Sequence, residues 1–159
     1  MAQIRLDRTD RRLLDLLQTD GRLSNVELAE KVALSPSPCL RRVRALEEAG
    51  VIRQYVALLD PAKVGLDLLA YVSVKLEKRG KMPIDAFTQA VRGWPEVVAC
   101  YAMTGEMDYL LRVQVADLEH YSRFVMDALL KQPGVLDVRS NFVLERIKDT
   151  TALPLDQVG

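Results

Sequence analysis

Two prolines two residues apart, in the run Leu34-Ser35-Pro36-Ser37-Pro38, constrain this chain more than any other feature. Neither ring can donate a backbone N–H, so both are tolerated only in a helix's first turn, where those groups are unpaired anyway. The run must therefore end one helix by Ala33 and begin another capped by Ser35. Upstream, Ser24-Asn25-Val26-Glu27 has the spacing of a capping box, in which Ser24 accepts from the Glu27 N–H and Glu27 reaches back. The helix it opens carries Leu28, Ala29 and Val32 inward. Before it, Leu13, Leu14, Leu16 and Leu17 recur at helical spacing behind Asp7 and Asp10. They predict a helix from about Asp7 to Gln18, stopped by Gly21. The helix after the prolines should run to about Ala49 and end at Gly50, with Cys39, Val43 and Leu46 as its buried seam and Leu40 beside them. Ser37, Arg41, Arg44 and Glu48 fall opposite. Three short helices with a tight turn before the last make a helix-turn-helix, whose third helix enters a DNA major groove N-terminus first.

Charge agrees with that geometry only locally. The chain holds 22 Lys plus Arg and 22 Asp plus Glu, so its net charge is zero and a polybasic coat for nucleic acid or membrane is absent. Between Lys31 and Leu46, however, stand Lys31, Arg41, Arg42 and Arg44 and no acidic residue. Arginine can bridge guanine O6 and N7, and the free N–H groups of a first turn can hold a phosphate. Arg41 and Arg42 are therefore expected to read bases, with Ser37 and Pro38 at the leading end. Ser35, Arg44 and Arg53 are expected to serve phosphates. A solvated arginine face on a small helical domain is the bland competing reading.

After Gly50, Val51 to Leu59 reads as a strand or short hairpin, broken by Asp60-Pro61. The domain boundary is expected between Asp60 and Asp67, with a first domain over 1–60, a linker over 61–68, a second domain over 69–147 and a tail over 148–159. The second domain contains a weak repeat, Trp94-Pro95-Glu96-Val97 and Gln132-Pro133-Gly134-Val135. Strand Ala70 to Leu76, helix Ile84 to Arg92 and strand Val97 to Met103 are followed by strand Tyr109 to Val115, helix Leu118 to Lys131 and strand Val135 to Leu144. The inward set of the second helix reads as Leu118, Tyr121, Val125, Leu129 and Leu130. Two such βαβ units describe a ferredoxin-like α/β sandwich, making the chain α+β. Apolar alternation on both sheet faces predicts a partner subunit on the uncovered one.

Cys39, Cys100 and the single histidine, His120, cannot form a metal site by spacing, and no cofactor motif is present. The cysteines read as small core residues, His120 as a surface or helix-packing residue, and Trp94 as packing under a helix end. The opening MAQIRLDRTDRRLL lacks the pattern of a signal peptide, and no apolar run approaches a membrane span, which points to a cytoplasmic setting. Nucleophile elbow and phosphate loop are missing, which argues against an enzyme.

In Met103-Thr104-Gly105-Glu106-Met107-Asp108-Tyr109, Gly105 permits a tight turn and Asp108 offers a carboxylate to an ammonium group. An ordinary hairpin whose Asp108 only caps the turn reads equally well from these residues. The run from Leu6 to Pro61, LDRTDRRLLDLLQTDGRLSNVELAEKVALSPSPCLRRVRALEEAGVIRQYVALLDP, resembles the winged-helix-like helix-turn-helix of the leucine-responsive regulatory protein/AsnC family of bacterial transcription factors. TGEMDYLLRVQVAD and QPGVLDVRSNFVLERIKDTTALPL resemble that family's effector-sensing βαββαβ domain. The resemblance implies double-stranded DNA as partner, homodimers that assemble further, commonly to octamers, and a small amino acid as effector. It also implies an effector pocket between subunits, lined by the turn Thr104, Gly105, Glu106, Met107, Asp108 and Tyr109 and by Ser140, Asn141 and Phe142 of the last strand. Tyr101, Met103 and Met107 would make its wall apolar, favouring leucine or methionine. Two alternatives remain. One is an architectural DNA protein without effector. The other is a sirohaem-decarboxylase-like enzyme, whose similarity would imply histidine and arginine before the glycine turn, where Ala102, Met103 and Thr104 stand.

Overall fold

Each helix of the N-terminal segment starts where a cap is available. Asp7 accepts from the Asp10 N–H at 2.8 Å and Asp10 reaches back to the Asp7 N–H at 3.1 Å, opening α1 (Arg8–Thr19). Ser24 and Glu27 form the expected reciprocal box and open α2 (Asn25–Lys31). Pro36 and Pro38 occupy the first turn of α3 (Pro36–Glu48), whose cap residue Ser35 makes no side-chain capping bond; Pro38, at the third helical position, has no N–H to donate to it. Gly50 takes φ +70° after α3, and the Gly50, Val51 and Ile52 N–H groups return to the carbonyls of Glu47 and Leu46. Leu13, Leu28, Ala29, Cys39 and Val43 form the core of the three-helix unit, and Leu40, expected beside the seam, is exposed.

The computed structural model describes residues 5–77 and 82–157; the first four residues of the opening run lie outside them. The chain divides into two units, one of Met1–Leu58 with Lys148–Gly159, the other of Leu59–Ile147. The division falls just before the expected boundary. The tail joins the helical unit instead of standing apart: the Gln18 side-chain amide accepts from the Leu153 N–H at 2.6 Å and donates to its carbonyl at 3.2 Å. The expected linker 61–68 belongs to the sheet unit, where Ala62–Val64 form a 3-10 turn.

Val51 to Leu59 is not a strand. It runs without a ladder partner among the described residues, leaving Val56, Leu58 and Leu59 exposed, because β propensity cannot substitute for a neighbouring strand. Beyond the Val51 and Ile52 N–H groups, which bond to the Leu46 carbonyl, Tyr55 anchors this segment through its side chain. Its hydroxyl donates to Glu47 Oε1 at 2.9 Å, and burial, followed by that bond and the Glu47 charge, pushes its pKa up to about 12. An unfolded tyrosine titrates near ~10. The folded chain therefore keeps a proton that the unfolded chain has lost, and the stability it adds is present below pH ~10 and lost as pH rises through about 12. Urea unfolding across this range should show that alkaline loss in the wild-type protein and a smaller one in Tyr55→Phe. Equal losses in both would refute the assignment.

The second unit is a four-stranded antiparallel sheet of β1 (Leu68–Leu76), β2 (Val97–Ala102), β3 (Tyr109–Val115) and β4 (Val135–Phe142) in the order β2-β3-β1-β4. With α4 (Met82–Gly93) and α5 (Leu118–Phe124) as the crossovers, this is the expected ferredoxin-like arrangement. Ala70, Val72, Val74 and Leu76 of β1 and Leu111, Val113 and Val115 of β3 face the helices and are buried with Phe87 of α4. Trp94 stacks edge-on against Phe87 and Phe124, 6.1 and 5.5 Å between ring centres.

The second crossover departs from the simple helix expected over Leu118 to Lys131. After Phe124 the chain makes a π turn, Val125–Leu129, with the Leu130 N–H reaching the Val125 carbonyl at 2.8 Å. The extra residue in that turn shifts the helical phase. Tyr121, Phe124 and Leu129 point inward, while Leu118 and Leu130, expected inside, are exposed. Asp117 caps α5 through the His120 N–H, and the His120 ring faces Glu96 Oε1 at 3.3 Å, as a helix-packing residue would.

Candidate functional site

The helix-turn-helix geometry rests on the turn between α2 and α3. Ala33 adopts φ +55°, a left-handed conformation that L side chains resist, and Leu34 then returns its N–H to Ala29. Asn25 Nδ2 donates to the Pro36 carbonyl at 2.8 Å, tying α2 to the leading end of α3. Asn25 was not singled out by the sequence reading; a polar side chain in the first turn of α2, facing the proline run, was the available signal.

Along α3, Ser37, Arg41 and Arg44 are exposed on the face opposite Cys39, Val43 and Leu46, and Ser35 and Pro38 stand at its leading end. Arg41 and Arg44 make no ion pair among the described residues, and Arg53 beyond the helix is exposed. Arg42 differs. Its Nη1 donates to Asp7 Oδ2 at 2.6 Å and to Asp10 Oδ1 at 2.8 Å, so it points back to the start of α1 and away from the face that carries Arg41. The Asp10 N–H and then the Arg42 guanidinium hold the Asp7 carboxyl below its ordinary pKa. Arg42, expected to read a base, is here engaged by carboxylates 32 and 35 residues away at the start of α1.

In the sheet unit, the Thr104 to Asp108 turn joins β2 to β3, and Gly105 takes φ +115°, which an L side chain adopts only with strain. Tyr101, Met103, Thr104, Gly105 and Glu106 are exposed, and Met107, Asp108 and Tyr109 are half-buried. Asp108 is not a free carboxylate. Its N–H donates to the Val74 carbonyl at 2.9 Å, its carbonyl accepts from Met103, and its Oδ2 accepts from the Leu76 N–H at 2.8 Å. These bonds tie the turn to the end of β1.

The charge displayed by the turn is Glu106. It meets the Arg139 guanidinium in a two-pronged pair, Nη2 to Oε1 at 2.7 Å and Nη1 to Oε2 at 3.3 Å, and Arg139 lowers the Glu106 pKa. Strand register places Tyr101, Leu110, Ser73 and Arg139 in one row across the face away from the helices. The residues expected from the last strand divide between the two faces. Ser140 accepts from the Tyr121 hydroxyl and Phe142 stacks edge-on with Tyr121, so both turn toward α5. Asn141 pairs with Tyr71 on the outer face. Arg139 is a candidate functional residue that the sequence pattern does not single out; strand alternation, which sends neighbours to opposite faces and puts Arg139 on the face of Asn141, is the signal that finds it.

Residues 6–53 match the winged helix-turn-helix DNA-binding model, and residues 69–153 match the Lrp/AsnC ligand-binding domain. The chain is similar to the leucine-responsive regulatory protein of Escherichia coli strain K12, 43% identical over 148 residues that span 93% of this chain and 90% of the relative. A transcriptional regulator from Neisseria meningitidis, solved as a complex with L-methionine, is 53% identical with TM-score 0.93 over 96% of this chain and 98% of its own. An AsnC family regulator from Agrobacterium tumefaciens is 44% identical with TM-score 0.91 over 96% and 99%. Both modules, the helix-turn-helix and the ferredoxin-like sheet, are thus matched, and the chain belongs to the Lrp/AsnC family of DNA-binding transcriptional regulators with an amino-acid-binding domain.

Proposed function

We propose that this chain is a homo-oligomeric regulator that reads double-stranded DNA through α3 and changes its assembly when L-methionine or L-leucine binds beside the Gly105 turn. Arg41 is the base reader, with Ser37 and Pro38 at the leading end, and Ser35, Arg44 and Arg53 are the phosphate contacts. Its site of action is the cytoplasm, where its DNA partner lies. The observation that carries the effector reading is the exposed Glu106–Arg139 pair. A zwitterion needs an acceptor for its ammonium and a planar donor for its carboxylate, and the two side chains supply both at one place. Asp108 fixes the turn beneath them, while Tyr101, Met103 and Leu110 offer an apolar wall. The likeness to the Neisseria meningitidis regulator solved with L-methionine supports methionine as the first ligand to try.

Because most of the turn is exposed on one chain, a second copy is what would enclose the ligand, and Asn141, on the outer face of the edge strand, would meet that copy, whereas Ser140 and Phe142 would line the side facing α5. Occupancy would then be linked to assembly, and so to how many recognition helices engage DNA together. Calorimetry with L-methionine and L-leucine should give saturable binding, and Arg139→Ala should weaken it at least tenfold, the loss of one charge-assisted pair. Light scattering on the same samples should give a mass above that of one chain. If neither amino acid binds at millimolar concentration, the effector reading fails and an architectural DNA protein takes its place.

A further inference from the structure

We propose that Arg42 is a positioning residue that sets the roll of the recognition helix α3 by closing the capping box of α1. The geometry is a complete four-oxygen network. Asp7 Oδ1 accepts from the Asp10 N–H at 2.8 Å and Asp10 Oδ2 from the Asp7 N–H at 3.1 Å, while the remaining oxygens, Asp7 Oδ2 and Asp10 Oδ1, both accept from Arg42 Nη1 at 2.6 and 2.8 Å. Each carboxylate thus faces the helix terminus with one oxygen and α3 with the other. Asp10 is the more enclosed of the two, with a side chain 17% exposed.

A helix can still roll about its axis when held only by an apolar seam and one end. Here the leading end of α3 is held by the Asn25 bond to the Pro36 carbonyl, and Cys39, Val43 and Leu46 form the seam. Arg42 adds a directional contact in mid-helix. Successive helical residues are rotated by about 100°, so fixing Arg42 toward α1 fixes where Arg41 points. The triad of two carboxylates and one guanidinium carries a net negative charge, which disfavours a phosphate there. Arg42 therefore acts on DNA through the base reader Arg41, which makes no ion pair among the described residues.

The test compares variants on two duplexes, one selected from a random-sequence library by the wild-type protein and one of unselected sequence, by fluorescence anisotropy over a range of salt. Arg42→Gln and Asp10→Asn should each weaken the selected complex about tenfold, the scale of one hydrogen bond to a charged group. Binding to the unselected duplex and the salt slope should stay as in the wild-type protein, the double variant should be no worse than the poorer single one, and Arg42→Lys should recover part of the loss. A phosphate-binding arginine behaves oppositely. Arg42→Gln would then weaken both duplexes and reduce the salt slope by about one, and Asp10→Asn, by freeing the guanidinium, would tighten them. That pattern, or no change in Arg42→Gln, overturns the proposal. Should Arg42→Gln fail to fold, Asp10→Asn decides by the sign of its effect, since asparagine keeps an acceptor for the Asp7 N–H.

Discussion

Phe87→Ala should lower the stability of the sheet unit by about 3–5 kcal/mol, the cost of emptying a fully buried aromatic site. Phe87 is 0% exposed and sits between two other rings, Trp94 at 6.1 Å and Tyr109 at 5.0 Å between centres. The surroundings cannot collapse into the space easily, because Trp94 is held from its other side by Phe124 and Tyr109 is the first residue of β3. Domain stabilities of roughly 5–15 kcal/mol leave little after such a loss. The single tryptophan of the chain lies in this cluster, so its fluorescence reports the sheet unit directly. Urea unfolding followed at Trp94 should shift to lower midpoint, and binding of amino acids beside the Gly105 turn should weaken with it, since Tyr109 follows that turn. An unchanged midpoint would mean that the aromatic cluster does not hold the sheet to its helices.

Arg41→Ala should cost about 1–3 kcal/mol on the selected duplex and flatten the preference at one base pair. The expectation rests on an exposed arginine in the second turn of α3, on the face opposite the buried seam, in a helix whose first turn is set by two prolines. Arg44 is one helical turn's near neighbour and supplies the contrast. Arg44→Ala should weaken all sequences alike and lower the salt slope by about one, as loss of a phosphate contact does. Anisotropy on a panel of single-base variants of the selected duplex separates the two behaviours. If Arg41→Ala leaves both affinity and base preference intact, base reading belongs to another residue of α3.

Helix starts and stops were legible because they are decided within a few residues. Asp7 with Asp10, Ser24 with Glu27, and Pro36 with Pro38 act on backbone groups three positions away or less, and the structure places each helix where they require. Strand alternation likewise announced β1, β3 and the buried set they share, since burial on one sheet face leaves a period of two. The run of basic residues without an acidic one between Lys31 and Leu46 marked α3 in an otherwise neutral chain.

What the chain's order could not reveal was which of several equally suitable groups would meet. Arg41, Arg42 and Arg44 are alike in sequence, but only Arg42 lies within reach of Asp7 and Asp10 once α1 and α3 pack. Asp108 and Glu106 are both acidic turn residues; strand pairing gave the first to the Leu76 N–H and left the second for Arg139. The π turn at Val125–Leu129 shifted the phase of the residue after it, Leu130, by adding a residue to a turn that periodicity counts as regular. Val51 to Leu59 has strand composition and no strand beside it among the described residues. Local sequence decides backbone conformation because capping and steric terms act at short range, whereas the choice of partner depends on distances that exist only after remote segments have packed, and there the tertiary structure alone decided.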